Sequence, residues 1–155
     1  MEERISYLLQ KREFISVATC DLEGRPNCAP KFLFKTEGSE IFLVDYTFGR
    51  TCENLRKNPR ASLSVMDIDN LVGYVLNGSA EIIERDRISE LMLEELRKRE
   101  IRLSAMRLIE GVKTGKRSKH FELEIPEKFS IIKICVEEIV RMGLGGEILR
   151  GPEKQ

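Results

Sequence analysis

The sequence predicts a mainly β protein of the α+β class, an antiparallel barrel with helices at its periphery. Short runs rich in β-branched and aromatic residues follow one another between turn signals. Two helical stretches interrupt those runs, and nowhere do strand and helix alternate in the βαβ manner of a parallel sheet. About seven antiparallel strands without crossover helices can remove their exposed edges by closing into a barrel.

Residues 1–12 carry Ile5, Leu8 and Leu9 at helical spacing and open the chain with a short amphipathic helix. Phe14-Ile15-Ser16-Val17-Ala18-Thr19-Cys20 reads as a strand, and Asp21-Leu22-Glu23-Gly24-Arg25-Pro26 as its turn, with Gly24 free to take positive φ. Residues 27–35 and 40–46 are two further strands joined at Thr36-Glu37-Gly38-Ser39, giving an antiparallel meander. Thr47-Phe48-Gly49 breaks the pattern. Residues 50–57 then form a short helix stopped by Asn58-Pro59, because proline excludes the preceding residue from helical geometry.

Strands over residues 60–67 and 71–84 flank the acidic turn Asp67-Ile68-Asp69-Asn70. Residues 86–109 are helical, with Ile88, Leu91, Leu93, Leu96, Ile101, Leu103, Met106 and Leu108 as apolar positions and Asp86 or Ser89 as the cap. A basic loop over 111–119 precedes the last strands, 121–125 and 129–136, which Pro126 separates. Residues 1–146 make a single domain, and 147–155 a polar tail expected to fray.

Composition narrows the function. The 155 residues are 41% hydrophobic, which excludes disorder, and 34% charged, above a usual share of about 25%. With 26 Lys+Arg against 26 Asp+Glu the net charge is zero, which argues against nucleic acid as a partner. No apolar stretch approaches the roughly 20 residues that span a bilayer, and Met1-Glu2-Glu3-Arg4 begins with acids where a signal peptide would be basic and then apolar. A soluble, cytoplasmic protein is expected.

Cys20, Cys28, Cys52 and Cys135 show no Cys-x-x-Cys spacing, so no structural zinc site is expected. Buried, reduced thiols are expected at all but Cys52, which sits among polar residues. His120 is the single histidine and excludes any site needing two imidazoles. Gly111-Val112-Lys113-Thr114-Gly115-Lys116-Arg117 is not a phosphate loop: three residues separate its glycines instead of four, and Arg117 replaces the Ser/Thr that would hold magnesium. Gly143-Leu144-Gly145-Gly146 reads as a turn, and Asp67 with Asp69 as solvated acids.

The informative stretch runs from Arg25 to Arg60. A helix opening at Gly49-Arg50-Thr51 presents unpaired backbone N–H groups, and Arg50 and Thr51 can add a guanidinium and a hydroxyl to a phosphate. Thr47 and Gly49 are small enough to let backbone approach a ligand. Lys31 is a cation in the apolar run Cys28-Ala29-Pro30-Lys31-Phe32-Leu33-Phe34, and its parity places it with Ala29 and Leu33, opposite Pro30, Phe32 and Phe34; it either points to solvent or meets an anion, and the sequence alone favours solvent.

The segments Phe14-Ile15-Ser16-Val17-Ala18-Thr19, Glu23-Gly24-Arg25-Pro26, Arg50-Thr51-x-x-Asn54-Leu55, Asn58-Pro59-Arg60-Ala61-Ser62-Leu63 and Gly73-Tyr74-Val75-Leu76-Asn77-Gly78-Ser79-Ala80-Glu81 occur in this order. Together they resemble the FMN-binding split β-barrel proteins related to pyridoxamine 5′-phosphate oxidase, over about residues 5–84. The resemblance implies a six-stranded antiparallel split β-barrel and a homodimer with FMN at the subunit interface. It places Pro30, Lys31 and Phe32 along the flavin, Asp45, Tyr46 and Thr47 at the ring edge, and Arg50 and Thr51 on the phosphate. Lys31 would then favour the reduced, anionic flavin, and Phe32 or Tyr46 would cover the ring.

Pyridoxamine-phosphate oxidases resemble one another in a C-terminal region bearing tryptophan, arginine and histidine. This chain has no Trp, so that activity is not expected. The reading is an FMN flavoprotein, an oxidoreductase passing hydride or electrons between a nicotinamide donor and a small acceptor. The alternatives are a non-catalytic flavin carrier or sensor, a deazaflavin (F420) binder, or a haem binder with His120 as axial ligand. The basic group Lys113, Lys116, Arg117 and Lys119 would receive an anion or stay solvated.

Overall fold

The computed structural model describes residues 1–114 and 128–152. Its strands are β1 (Phe14–Cys20), β2 (Pro26–Glu37), β3 (Glu40–Asp45), β4 (Arg60–Asp67), β5 (Val72–Glu84), β6 (Ser130–Met142) and β7 (Ile148–Pro152). Helices are α1 (Glu3–Gln10), α2 (Arg50–Leu55) and α3 (Glu90–Thr114), the last preceded by a 3₁₀ turn at Arg85–Arg87. All strand pairs are antiparallel, in the order β3-β2-β1-β4-β5-β6-β7, and a further β3–β6 pairing closes the first six into a barrel. The expected six-stranded antiparallel barrel with peripheral helices is the fold observed.

Alternation of side chains builds the interior. Ile15 and Val17, Leu33, Ile41 and Leu43, Leu63 and Val65, Tyr74 and Leu76, and Ile132 and Ile134 point inward from six strands, and Ile5, Leu8 and Leu9 of α1 join the same cluster. At β2, β3 and β6 the apolar runs are continuous rather than alternating, because both faces are covered. Phe32, Phe34, Phe42, Val44 and Ile131 lie outside the barrel and pack against Ile88, Leu93 and Leu96 at and near the start of α3. The β5 bulge at Asn77/Gly78 requires glycine, since a Cβ on Gly78 would stand 2.0 Å from the Cys135 carbonyl oxygen.

Several expectations change. Ser89 rather than Asp86 caps α3, its hydroxyl accepting from the Met92 N–H at 3.3 Å. This helix continues to Thr114, so the first residues of the expected basic loop are helical, while residues 115–119, His120 and the strand expected at 121–125 lie outside the described residues. Leu91, Ile101, Met106 and Leu108 are exposed, because α3 buries only Leu93, Leu96 and Glu100. Residues 148–152, expected to fray, pair with residues 138–142 of β6 along an edge that β3 leaves open.

The cysteines invert. Cys28 and Cys135 are exposed and Cys20 half-buried, whereas Cys52, the one expected among polar groups, is fully buried. Cys28 and Cys135 occupy outward positions of their strands, which local apolar content does not reveal.

Candidate functional site

The site forms where β3 leaves the barrel and α2 crosses its end. Because side chains alternate along a strand, Lys31 shares the inward face of β2 with Leu33, and Asp45 that of β3 with Ile41 and Leu43. The inward turn brings the two charges together. Lys31 Nζ donates to Asp45 Oδ1 at 2.7 Å and to Thr47 Oγ1 at 3.1 Å, with the Lys31 side chain 4% and the Asp45 side chain 0% exposed. A buried cation keeps its charge only where an anion and hydrogen bonds replace water, so Lys31 meets an anion instead of solvent.

Asp45 is the hub of this cluster. Its Oδ1 also accepts from the Thr47 N–H (2.9 Å) and hydroxyl (2.7 Å), and its Oδ2 accepts from the Cys52 thiol (3.0 Å). Burial by itself would raise the carboxyl pKa, but the donors from Cys52, Lys31 and Thr47 outweigh it and hold Asp45 at about 2. Burial, reinforced by the Asp45 carboxylate, pushes the Cys52 thiol up to about 11, so it is a protonated donor at neutral pH and no nucleophile.

Tyr46, next along the chain, points the other way. Its hydroxyl donates to Glu100 Oε1 of α3 at 2.6 Å, and burial together with that carboxylate raises the phenol pKa. Phe32 is buried in the layer beneath α3, edge-on to Phe14 at 5.8 Å, and Pro30 is exposed on β2. Phe48 adopts φ 48°, a strained conformation for a bulky residue, at the corner between Thr47 and Gly49.

Beyond this corner lies a cavity of about 330 Å³. One wall is the β1–β2 turn with Asp21, Glu23, Arg25 and Asn27; the other is the α2 segment with Arg50, Glu53, Asn54 and Lys57. Three cations and three carboxylates line it, yet they are not equally engaged. Arg25 donates to Asp21 at 2.6 Å and to Glu23 at 2.8 Å. Among the described residues Arg50 and Lys57 have no acidic partner, leaving two unpaired cations against Glu53 alone.

Thr51 is buried. Its hydroxyl accepts from Asn27 Nδ2 at 3.2 Å, and Asn27 and Asn54 both donate to Thr19 Oγ1, tying α2 to β1 and β2. A second groove, about 620 Å³, crosses the outer face of β1, β4, β5 and β6, but its cation Arg60 is held by Glu137 at 2.6 Å. Of these two, the first cavity is the one lined by an arginine with no acidic partner among the described residues.

The eight residues singled out from the sequence therefore fall into three groups. Lys31, Asp45 and Thr47 are in direct contact; Arg50 lines the cavity while Thr51 braces its wall; Tyr46 and Phe32 belong to the α3 side, and Pro30 stands exposed. Sequence reasoning missed Lys57, Asn27, Cys52 and Glu100. Asn54 enters the sequence reading only as part of a motif, and Lys57 only as the end of the short helix 50–57. No periodicity could have paired Tyr46 with a glutamate 54 positions away.

The chain belongs to the pyridoxamine 5′-phosphate oxidase family, whose sequence profile matches residues 1–140. No curated protein matches it. Among solved structures it is similar to a Clostridium acetobutylicum protein related to general stress protein 26 (17% identity, 96% of this chain and 92% of that one, TM-score 0.63). It is also similar to a pyridoxamine 5′-phosphate oxidase-related, FMN-binding protein of Nostoc punctiforme (15%, 98% and 96%, TM-score 0.55). The same fold occurs in a heme binding protein from Mycobacterium smegmatis (18%, 97% and 57%, TM-score 0.59) and in an F420 reductase (18%, 90% and 98%, TM-score 0.56). At such identities the likeness establishes the fold.

Among the described residues no group of His, Cys, Asp and Glu is arranged to hold a metal, and no helix is long and apolar enough to cross a membrane.

Proposed function

We propose that this chain is an FMN-binding flavoprotein, an oxidoreductase that passes hydride or electrons between a nicotinamide donor and a small acceptor, and that it works as a homodimer with the cofactor at the subunit interface. The observation that carries the reading is the unpaired Arg50 guanidinium facing the cavity beside α2, with Lys57 next to it. That donor set suits a phosphate monoester: Arg50 can give two charge-assisted hydrogen bonds, and Lys57 a further charge.

FMN, when bound, supplies the redox chemistry, and the protein supplies binding, orientation and electrostatics. Arg50 and Lys57 hold the phosphate end. Lys31 and Thr47 mark the ring end, and the strained Phe48 corner joins the two. The only inward-facing thiol of this cluster, Cys52, stays protonated, so no covalent step runs through it. Pyridoxamine phosphate is not the proposed substrate, since the chain has no tryptophan and one histidine.

The test is the visible spectrum of the purified protein, followed by titration with FMN and riboflavin. A yellow protein that prefers FMN to riboflavin supports the reading. Retention of a deazaflavin with no FMN binding replaces it by the F420 alternative, and a Soret band by the haem alternative. A yellow protein that oxidises no nicotinamide is the carrier. A monomeric mass at working concentration removes the interface.

A further inference from the structure

We propose that the outer face of the C-terminal half of α3 is a self-association surface, on which α3 of a second copy of this chain packs antiparallel about a twofold axis between residues 106 and 107. The inference makes no use of the flavin reading.

Two stripes run along α3. Leu93, Leu96, Glu100, Leu103 and Arg107 recur at steps of three and four residues and hold the helix to the barrel. The leucines pack in the layer that contains Phe32 and Phe34, Glu100 accepts from Tyr46, and Arg107 pairs with Glu13. These contacts fix the rotation of the helix. Ile101, Ala105, Leu108 and Val112 form the second stripe, at steps of four, three and four, with Ile109 beside them. They span about 100° of arc and are turned away from the first stripe. Ala105 is exposed, as are Ile101 (69%), Leu108 (43%), Ile109 (56%) and Val112 (82%). Over the first half of α3 the same face carries the exposed charges of Glu90, Glu94, Arg97 and Lys98, with Leu91 its lone large apolar side chain. The apolar character therefore begins at Ile101 and is confined to the second half.

An apolar stripe along three turns of a helix is the shape that a second helix covers. Its composition fits a copy of itself. With the axis between 106 and 107, Ile101 faces the partner's Val112 and Ala105 faces the partner's Leu108, and the symmetry makes each contact twice. The small Ala105 leaves the space that a leucine fills, the large-against-small arrangement by which packed layers interdigitate. Arg102 comes close to level with the partner's Glu110; both residues are exposed, and among the described residues neither has an ion-pair partner. A membrane surface suits the stripe less well. Interfacial helices bury bulky, often aromatic side chains, whereas this face has alanine at its centre and no aromatic residue. The stripe is about 16 Å long and covers less than the roughly 800 Å² per partner of a stable interface, so the association is weak and is measured at high protein concentration.

The test uses the full-length protein with its exposed thiols removed (Cys28→Ser and Cys135→Ser). Ile101→Cys and Val112→Cys are then made separately, in chains of distinguishable mass. In the antiparallel register, position 101 lies about 16 Å along the axis from its own copy, too far for a disulfide, but directly opposite position 112. Under mild oxidation at about 100 µM the mixture should give the mixed disulfide at least tenfold faster than either variant alone gives its own dimer. Leu108→Glu, at an exposed position, should weaken self-association at least tenfold in sedimentation equilibrium without moving the unfolding midpoint. Should that variant fail to fold, the mixing experiment decides. Each variant linking to itself as readily as to the other, or a mass unchanged by Leu108→Glu, overturns the proposal, as does a native monomer whose α3 binds vesicles of anionic phospholipid instead. Titration with FMN tests the flavin site independently of all these outcomes.

Discussion

Lys31 and Arg50 are both cations on the path from β2 to α2, and the fold treats them in opposite ways. Lys31 is turned into the barrel, where it is almost wholly buried, and is supplied with Asp45 and Thr47 as replacements for its hydration shell. Arg50 is left at a cavity wall with no acidic partner among the described residues, on the wall opposite Arg25, whose own charge is consumed by Asp21 and Glu23. On the flavin reading proposed above, the difference separates two jobs. A cation that must hold a geometry is buried with its counterion built in; one that must attract an anion from solution is kept unpaired and wet.

The sharpest way to break the contrast is to remove the built-in counterion. Asp45→Ala leaves Lys31 buried and uncompensated, and should destabilise the protein by about 3–5 kcal/mol in urea or thermal unfolding. Arg50→Ala should leave the unfolding midpoint almost unmoved. Equal stability of the two variants would mean that the Lys31–Asp45 pair is not buried in solution.

Acid should act selectively on the same pair. The Asp45 carboxyl is lowered from an ordinary 3.8 to about 2 in the folded protein. A depressed folded pKa gives stability that is complete above the unfolded value and lost as pH falls through the folded one. Between about pH 4 and pH 2 the native protein should therefore lose on the order of 2 kcal/mol that the Asp45→Asn variant does not lose. Parallel stability curves for the two proteins over that window would contradict the assignment.

The two regions also differ in how far they could be read from the chain. The order of strands, the meander and the short helix at Arg50 follow from local patterns, since alternation, turn residues and Asn58-Pro59 act within a few positions. The Arg50-Thr51 pair is legible for the same reason, and the fold sets Arg50 on the cavity while Thr51 is buried against Asn27. Lys31 could not be resolved, because its fate depends on which face of β2 turns inward, and that is decided by the pairing of Phe32 with Val44 and Leu33 with Leu43 across to β3. Cys52 was misjudged by the same blindness: its neighbours in sequence are polar, but α2 lays it across the barrel end against Asp45. Residues 148–152 looked too polar to order, yet an open edge of β6 accepts a strand through backbone hydrogen bonds that are indifferent to side-chain polarity.

On the unpaired side, Arg50→Ala should weaken FMN by about 1.5–3 kcal/mol, the value of a hydrogen bond to a charged group, while riboflavin, which lacks the phosphate, should bind as before. An equal loss for both ligands in a fluorescence titration would take Arg50 away from the phosphate.

Lys57 should give the smallest change. It lines the same cavity from one residue before Asn58-Pro59, as a point charge on a flexible stem, and lacks the planar fork that lets Arg50 bind two oxygens at once. Lys57→Ala should therefore weaken FMN by less than about tenfold, and most of that loss should vanish at high salt, where exposed charges are screened. Arg50→Ala, which removes hydrogen bonds as well as charge, should keep most of its effect under the same conditions. If the two variants lose affinity in parallel as salt rises, then neither cation makes a directed contact and the cavity attracts its ligand by charge alone.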